Sequence, residues 1–422
     1  GACASGRMPY NRRTCRTSSS CAIPRSGTVP TEVVAMLPRE RVFAALDHRE
    51  PDRVPWGEHF IDYNVYEDVL GRETFVHAKM RETRALWDGA RDEVVESYKR
   101  DIPDLIRALD MDVVHAYGVP SKGEHPEPME KLDEETYRDA HGNVHRVSAA
   151  TGCLMPYKLN ADNYVEPTVE SLQAQIDRLE NQPPGDPHDS RWELVHHLVA
   201  EMKDSHFILL LCGDLEWPRF GATEEESWMN LVLQPDVCKK LAELRGRQLI
   251  RQARLHARLG VDGIMPCGDL GSSTALMASP QVYREMVYPV HKAHAEEGHR
   301  LGLKVLKHCC GHVWPVIDEL AEVYDAYEGI QASGGMDIKA LKERVGERLC
   351  LWGGIWHEHI IAGTVEDIRS DARYAFNHAA PGGGYIMGSS HSLAVGAKIE
   401  NVLEMKRCRD EWGAYPISVP SA

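Results

Sequence analysis

His308 and Cys310 stand two residues apart in the stretch Val305-Leu306-Lys307-His308-Cys309-Cys310-Gly311-His312. The largely apolar run Leu303 to Leu306 reads as a buried strand, and the soft ligands follow directly at its end. Side chains alternate along a strand, so His308 and Cys310 share one face and Cys309 points to the other. One imidazole and one thiolate side by side suit Zn²⁺. The pair alone reads equally as a buried cysteine beside a strand-terminal histidine, so its meaning depends on what else reaches it.

The elements around it are regular. Runs at 54–57, 112–117, 206–212, 261–267, 303–309, 326–331, 349–355 and 384–388 read as strands, and helical patterns separate them. Eight strands alternating with helices predict an α/β fold, a single (β/α)8 TIM barrel. A doubly wound sheet would need a Gly-rich fingerprint after its first strand, and the chain carries none there. Residues 118–170, rich in Gly, Pro and charge with short β-like pieces such as Asn143 to Ser148, read as an inserted β-rich arm after the second strand. Residues 62–110 read as a helical region.

Barrel active sites lie at the C-terminal ends of the strands. The residues there are Glu58 and His59; His115 and Tyr117; Cys212 and Asp214; Cys267 and Asp269; His308 and Cys310; Gln331; Trp356 and His357; and Ser389, Ser390 and His391. Zinc needs a third protein ligand. His391, at the end of the last strand, is the first choice, Glu58 the second and Cys267 the third. Each has an alternative: His391 as a hydrogen-bonding group for substrate, Glu58 as a general base or ion-pair partner, Cys267 as a small buried apolar residue. Glu58, Asp269 and His391 are therefore the candidate catalytic groups. His115, Tyr117, Asp214, Gln331 and Trp356 are the candidate substrate contacts. Asp269 and Asp214 suit hydrogen bonding better than ligation.

Composition narrows the function further. The 422 residues carry 48 Lys+Arg and 64 Asp+Glu, a net charge of −16. That balance disfavours nucleic acid and anionic membranes as partners. No apolar run is long enough to span a bilayer. The 11 cysteines are irregularly spaced, which fits a reducing, cytoplasmic setting rather than a disulfide framework. Residues 1–35, with Arg7, Arg12, Arg13, Arg16, Arg25 and the serines 18–20, resemble a transit peptide or a start-site artefact, and are expected to be poorly ordered outside a barrel of 36–415 with a tail of 416–422.

Several motifs taken together resemble the uroporphyrinogen decarboxylase-like superfamily over roughly residues 38–412. They are Arg39-Glu40-Arg41 to Arg53-Val54-Pro55, Gly268-Asp269-Leu270-Gly271 with Met277, Ser279 and Pro280, His308-x-Cys310-Gly311, Trp352-Gly353-Gly354-Ile355, and Gly382-Gly383-Gly384-Tyr385-Ile386 with Ser390-His391. True uroporphyrinogen decarboxylases hold propionates with arginines after the first strand and pyrrole nitrogens with an aspartate after the second. Here the first strand runs into Trp56-Gly57-Glu58-His59 and the second into His115-Ala116-Tyr117-Gly118.

The chain is more similar to the corrinoid-dependent methyltransferase branch, whose fifth-strand His-x-Cys binds zinc. That resemblance implies a zinc-dependent transfer of a methyl group between a small methylated substrate or thiol and a corrinoid (cobalamin) on a partner protein, with homodimers a further expectation. The branch's third ligand is a cysteine at the last strand, and here Ser389-Ser390-His391 stands in its place. The alternatives are a carboxy-lyase acting on a tetrapyrrole or another small carboxylate, and a non-catalytic tetrapyrrole- or corrinoid-binding protein.

Overall fold

The computed structural model describes residues 35–420. The expectation for residues 1–35 therefore lies, but for its last residue, outside the described residues. Among the described residues there are eleven strands: β1 (Val113–Ala116), β2 (Glu130–Lys131), β3 (Thr136–Arg138), β4 (Val144–Val147), β5 (Leu154–Lys158), β6 (Phe207–Asp214), β7 (Gly263–Cys267), β8 (Lys304–His308), β9 (Ala326–Glu328), β10 (Cys350–Ile355) and β11 (Tyr385–Ser389).

Seven of them form a curled sheet in the order β1-β6-β7-β8-β9-β10-β11, with every neighbouring pair parallel. The first expected strand, 54–57, is reduced to an isolated bridge between Trp56 and Met387. Pro55 has no N–H to give to a ladder, which explains the shortening. The segment nonetheless touches both sheet edges. Met387 N donates to Pro55 O (2.8 Å), Gly57 N donates to Met387 O (3.0 Å), and Asp112 N donates to Trp56 O (2.8 Å). The architecture is TIM-like, with helices on the outside of a parallel sheet.

Alternation along the strands sorts the side chains into two cores. Val113, Phe207, Leu209, Met265, Leu306, Ala326, Cys350, Trp352 and Ile386 form one cluster on the concave side. Val42, Ala45 and Leu46 of the helix Pro38–Leu46 join it and cover the end where the strands begin. Residues of the other parity, such as Val114, Ile208, Ile264, Val305 and Tyr327, pack against the helices. Position i+2 shares a face with i, so the next residues up the concave side are His115 after Val113, His308 after Leu306, and Glu328 after Ala326. The apolar layer thus forms a floor, and the polar residues stand on it.

Two features lie between β1 and the rest of the parallel sheet or before it. Strands β2 to β5 form a separate antiparallel sheet. The helical region 62–110 consists of three helices, Tyr63–Leu70, Met80–Trp87 and Arg91–Leu109. The first break runs from Gly71 to Lys79 and includes His77 and Lys79 at φ of 49° and 57°, and the second is the short turn 88–90, with Gly89 at φ 81°. Non-glycine residues rarely adopt that conformation, which costs on the order of 1–3 kcal/mol each.

Candidate metal centre and substrate chamber

β8 ends in His308, and Gly311 (φ 82°) then turns the chain back across the top of the sheet. A Cβ on Gly311 would lie 2.3 Å from the Gly271 carbonyl oxygen, so this close approach requires glycine. The turn leaves Cys310 Sγ 3.5 Å from His308 Nε2. His391, two residues beyond the end of β11, comes in from the far edge of the sheet. One ligand atom from each of His308, Cys310 and His391 lies within 4.8 Å of the others. His308 and Cys310 are buried, and His391 stands at the open side.

Each side chain is held from behind. His308 Nδ1 bonds a carboxylate oxygen of Glu328, which is fully buried on β9. A carboxylate on one ring nitrogen fixes the imidazole's orientation and raises the basicity of the other. The His59 ring stacks on His308 with centroids 3.9 Å apart and planes 5° apart. Cys310 N donates to Asp269 Oδ1 at 2.8 Å, anchoring the turn. Burial pushes the Cys310 thiol well above its ordinary pKa. The His391 ring packs against His308 and His357, and desolvation there lowers it to about 4, so it is neutral. Two imidazoles and a thiol that ionises on coordination form a borderline-soft N, S, N donor set of the kind zinc takes. His59, His308 and Glu328 also lie within 4.8 Å of one another, as a wholly buried group.

The other sequence-derived candidates are placed as follows. Glu58 faces β11 rather than the donor set. It accepts Trp56 Nε1 (2.8 Å) and Ser389 Oγ (2.6 Å), and burial raises its pKa to about 7. Cys267 is not among the grouped ligands, and burial raises its thiol to about 12. Cys309 is buried on the opposite face, where its sulfur accepts Leu270 N. His115 and Tyr117 are walled in beneath His59; burial brings His115 down to about 3 and pushes Tyr117 well above its usual value. Gln331 accepts Gly311 N at 3.0 Å and so supports the turn.

Two candidate contacts stand elsewhere. Asp214 is exposed at the end of β6 and does not line the chamber described below. Trp356 is turned outward: its backbone N–H donates to Asp371 Oδ2 (3.0 Å) and its ring stacks on His359. It lines a separate groove with Met336 and Tyr374. The sequence reading passed over Glu328 and the packing role of His59. The available signal for Glu328 was an acid inside an otherwise apolar strand, a place that a charge occupies only with a partner.

His391 and Ser392 open onto a chamber of about 590 Å³. Phe60, Asp62, His77, Lys79 and Glu82 wall one side, and Ser148 to Met155 of the β4–β5 region wall the other.

Residues 221–412 match the uroporphyrinogen decarboxylase (URO-D) family. That match covers just under half of the chain and includes His308, Cys310 and His391; together with the fold it supports an enzyme similar to the uroporphyrinogen decarboxylase family. A methyltransferase from Methanosarcina mazei has a similar structure, with a TM-score of 0.59 at 16% identity, covering 89% of this chain and 99% of that one. A protein named as a vitamin-B12 independent methionine synthase from Listeria monocytogenes aligns with a TM-score of 0.40 at 13% identity, over 86% of this chain and 97% of that one. At such identities the likeness is one of fold. No curated protein matches the sequence. Among the described residues, no helix is long and apolar enough to cross a membrane.

Proposed function

We propose that the protein is a zinc-dependent methyltransferase that moves a methyl group between a small methylated substrate or thiol and a corrinoid on a separate protein. The observation that carries this reading is the meeting of His308, Cys310 and His391, the last of which also lines the chamber. The similarity in fold to the Methanosarcina methyltransferase points the same way.

His308 Nε2, Cys310 Sγ and one ring nitrogen of His391 would hold the metal. A bound zinc ion supplies Lewis acidity, which lowers the pKa of a thiol or polarises an ether oxygen. The chain's own residues do the rest. Glu328 keeps His308 in one orientation, and Asp269 holds the Cys310 turn. Cys310 loses its proton on coordination, so metal uptake is accompanied by proton release and strengthens with pH. The apolar floor below His308 keeps water out from beneath the site. The carboxy-lyase alternative has less support, because among the described residues the chamber wall's one lysine or arginine, Lys79, is already paired with Asp62.

Mixing zinc-loaded protein with methylcobalamin and a small thiol tests the proposal, read as thiol-dependent loss of methylcobalamin absorbance. The loss is expected to stop with chelator and in Cys310→Ala. Methyl transfer at an undiminished rate in chelator would overturn the role of zinc. No loss with any of a panel of small thiols or methyl donors would overturn the transfer itself.

A further inference from the structure

The chamber's wall carries its own chemical information. Phe60, Ala150, Leu154, Met155, Ala394 and Val395 make most of it apolar. Its lysine, Lys79, is the one lysine or arginine among the described lining residues, and it is already engaged. Its ammonium bonds Asp62 Oδ1, while Asp62 Oδ2 accepts Val395 N at 2.9 Å. The other acid, Glu82, accepts the Tyr98 hydroxyl at 2.5 Å, and burial raises its pKa. The Asp62–Lys79 pair therefore adds no net charge to the wall and leaves Glu82 as its one remaining acid, although the chain as a whole carries −16.

The backbone singles out the same segment. His77 and Lys79 both hold positive φ, and Lys79 at φ 57°, ψ −127° lies far from any ordinary helical or extended conformation. Strain of this kind persists where the surrounding structure fixes a side chain for use. Here it aims both residues into the chamber, with the Lys79 carbonyl held by Thr83 N (3.0 Å).

We propose that the chamber selects an uncharged, largely apolar small molecule, and that the Asp62–Lys79 pair determines this selectivity by cancelling the wall's ammonium. A volume of about 590 Å³ lies within the usual range for small-ligand sites, roughly 300–1,000 Å³. An anion would enter a pocket whose cation is already satisfied. A cation would find Asp62 engaged through both oxygens and Glu82 already accepting from Tyr98. In each case desolvation of the charge goes uncompensated.

The inference rests on the chamber serving the proposed methyl-transfer site, yet it is read from binding alone, so a failure of methyl transfer would leave it standing. Calorimetric titration of the full chain compares three probes of similar shape: methoxybenzene, 3-methoxybenzoate and 3-methoxyphenyl-trimethylammonium. The neutral probe is expected to bind at least tenfold more tightly than either ion, and Leu154→Asp to weaken it at least tenfold. Asp62→Asn keeps an acceptor for Val395 N but frees the ammonium, and is expected to improve benzoate binding at least tenfold. Three outcomes would overturn the proposal: equal or tighter binding of either ion to the wild-type chain, no detectable binding of the neutral probe, or an Asp62→Asn variant that folds and still excludes the benzoate.

Discussion

The concave side of the sheet is built in two layers, two residues apart on the same strands. The lower layer contains Val113, Leu306, Ala326 and Trp352; the upper contains His115, His308 and Glu328. Backbone geometry is nearly the same in both, and burial is nearly complete in both except at His115, which is partly buried. The lower layer is apolar and mutually packed, so it contributes stability through burial. The upper layer consists of groups that cost free energy to bury unless they find partners. The chemistry and the stability of the curled sheet are thus separated by a single step of the β-repeat.

Variants in each layer should break differently. Trp352→Ala in the lower layer removes a fully buried indole that also donates to Gly57 O at 2.9 Å. It should cost about 3–5 kcal/mol in denaturant unfolding, while the folded fraction keeps its metal stoichiometry. A change in metal affinity without a stability loss would erase the distinction between layers.

Glu58 sits beside the upper layer and gives a pH signature. Its folded pKa of about 7 stands above its ordinary 4.5, so the folded state binds the extra proton between those values. Stability from this group is present below about pH 4.5 and is lost as pH rises through 7, by up to about 3 kcal/mol. Glu58→Gln can still accept from Trp56 and can donate to Ser389 Oγ. It should flatten that loss and be relatively more stable at pH 8 than at pH 5, by about 1–3 kcal/mol. Unfolding curves at the two pH values check the sign.

Glu328→Gln is the upper-layer counterpart with the smallest effect on folding. It removes a buried carboxyl whose pKa burial has raised, so the metal-free chain should lose little stability or gain some. Metal affinity should fall about 10–100-fold, because His308 loses the carboxylate that orients it. Competition with a coloured chelator measures this. Unchanged affinity would reduce Glu328 to a packing residue.

Much of this was legible in the chain itself. The alternation of apolar strands and helices marked the parallel sheet, and the parity of His308, Cys309 and Cys310 matched the faces they occupy. Trp356 shows where that reasoning stops. One residue past a strand end, its backbone is held by a hydrogen bond to Asp371, fifteen positions away. Glu58 shows the same thing from the other side: its carboxylate is taken by Ser389, across 331 positions of sequence. Pairings that are distant in sequence and local in space leave no periodic trace. The strained His77–Lys79 loop was equally silent, since non-glycine residues at positive φ carry no compositional mark.

The central claim is that His308, Cys310 and His391 form a zinc site, and elemental analysis of the purified chain tests it most directly. After incubation with zinc and exhaustive dialysis, one equivalent per chain is expected, falling to near zero in a folded Cys310→Ala variant. Metal-free wild-type protein, or full stoichiometry retained without Cys310, would contradict it.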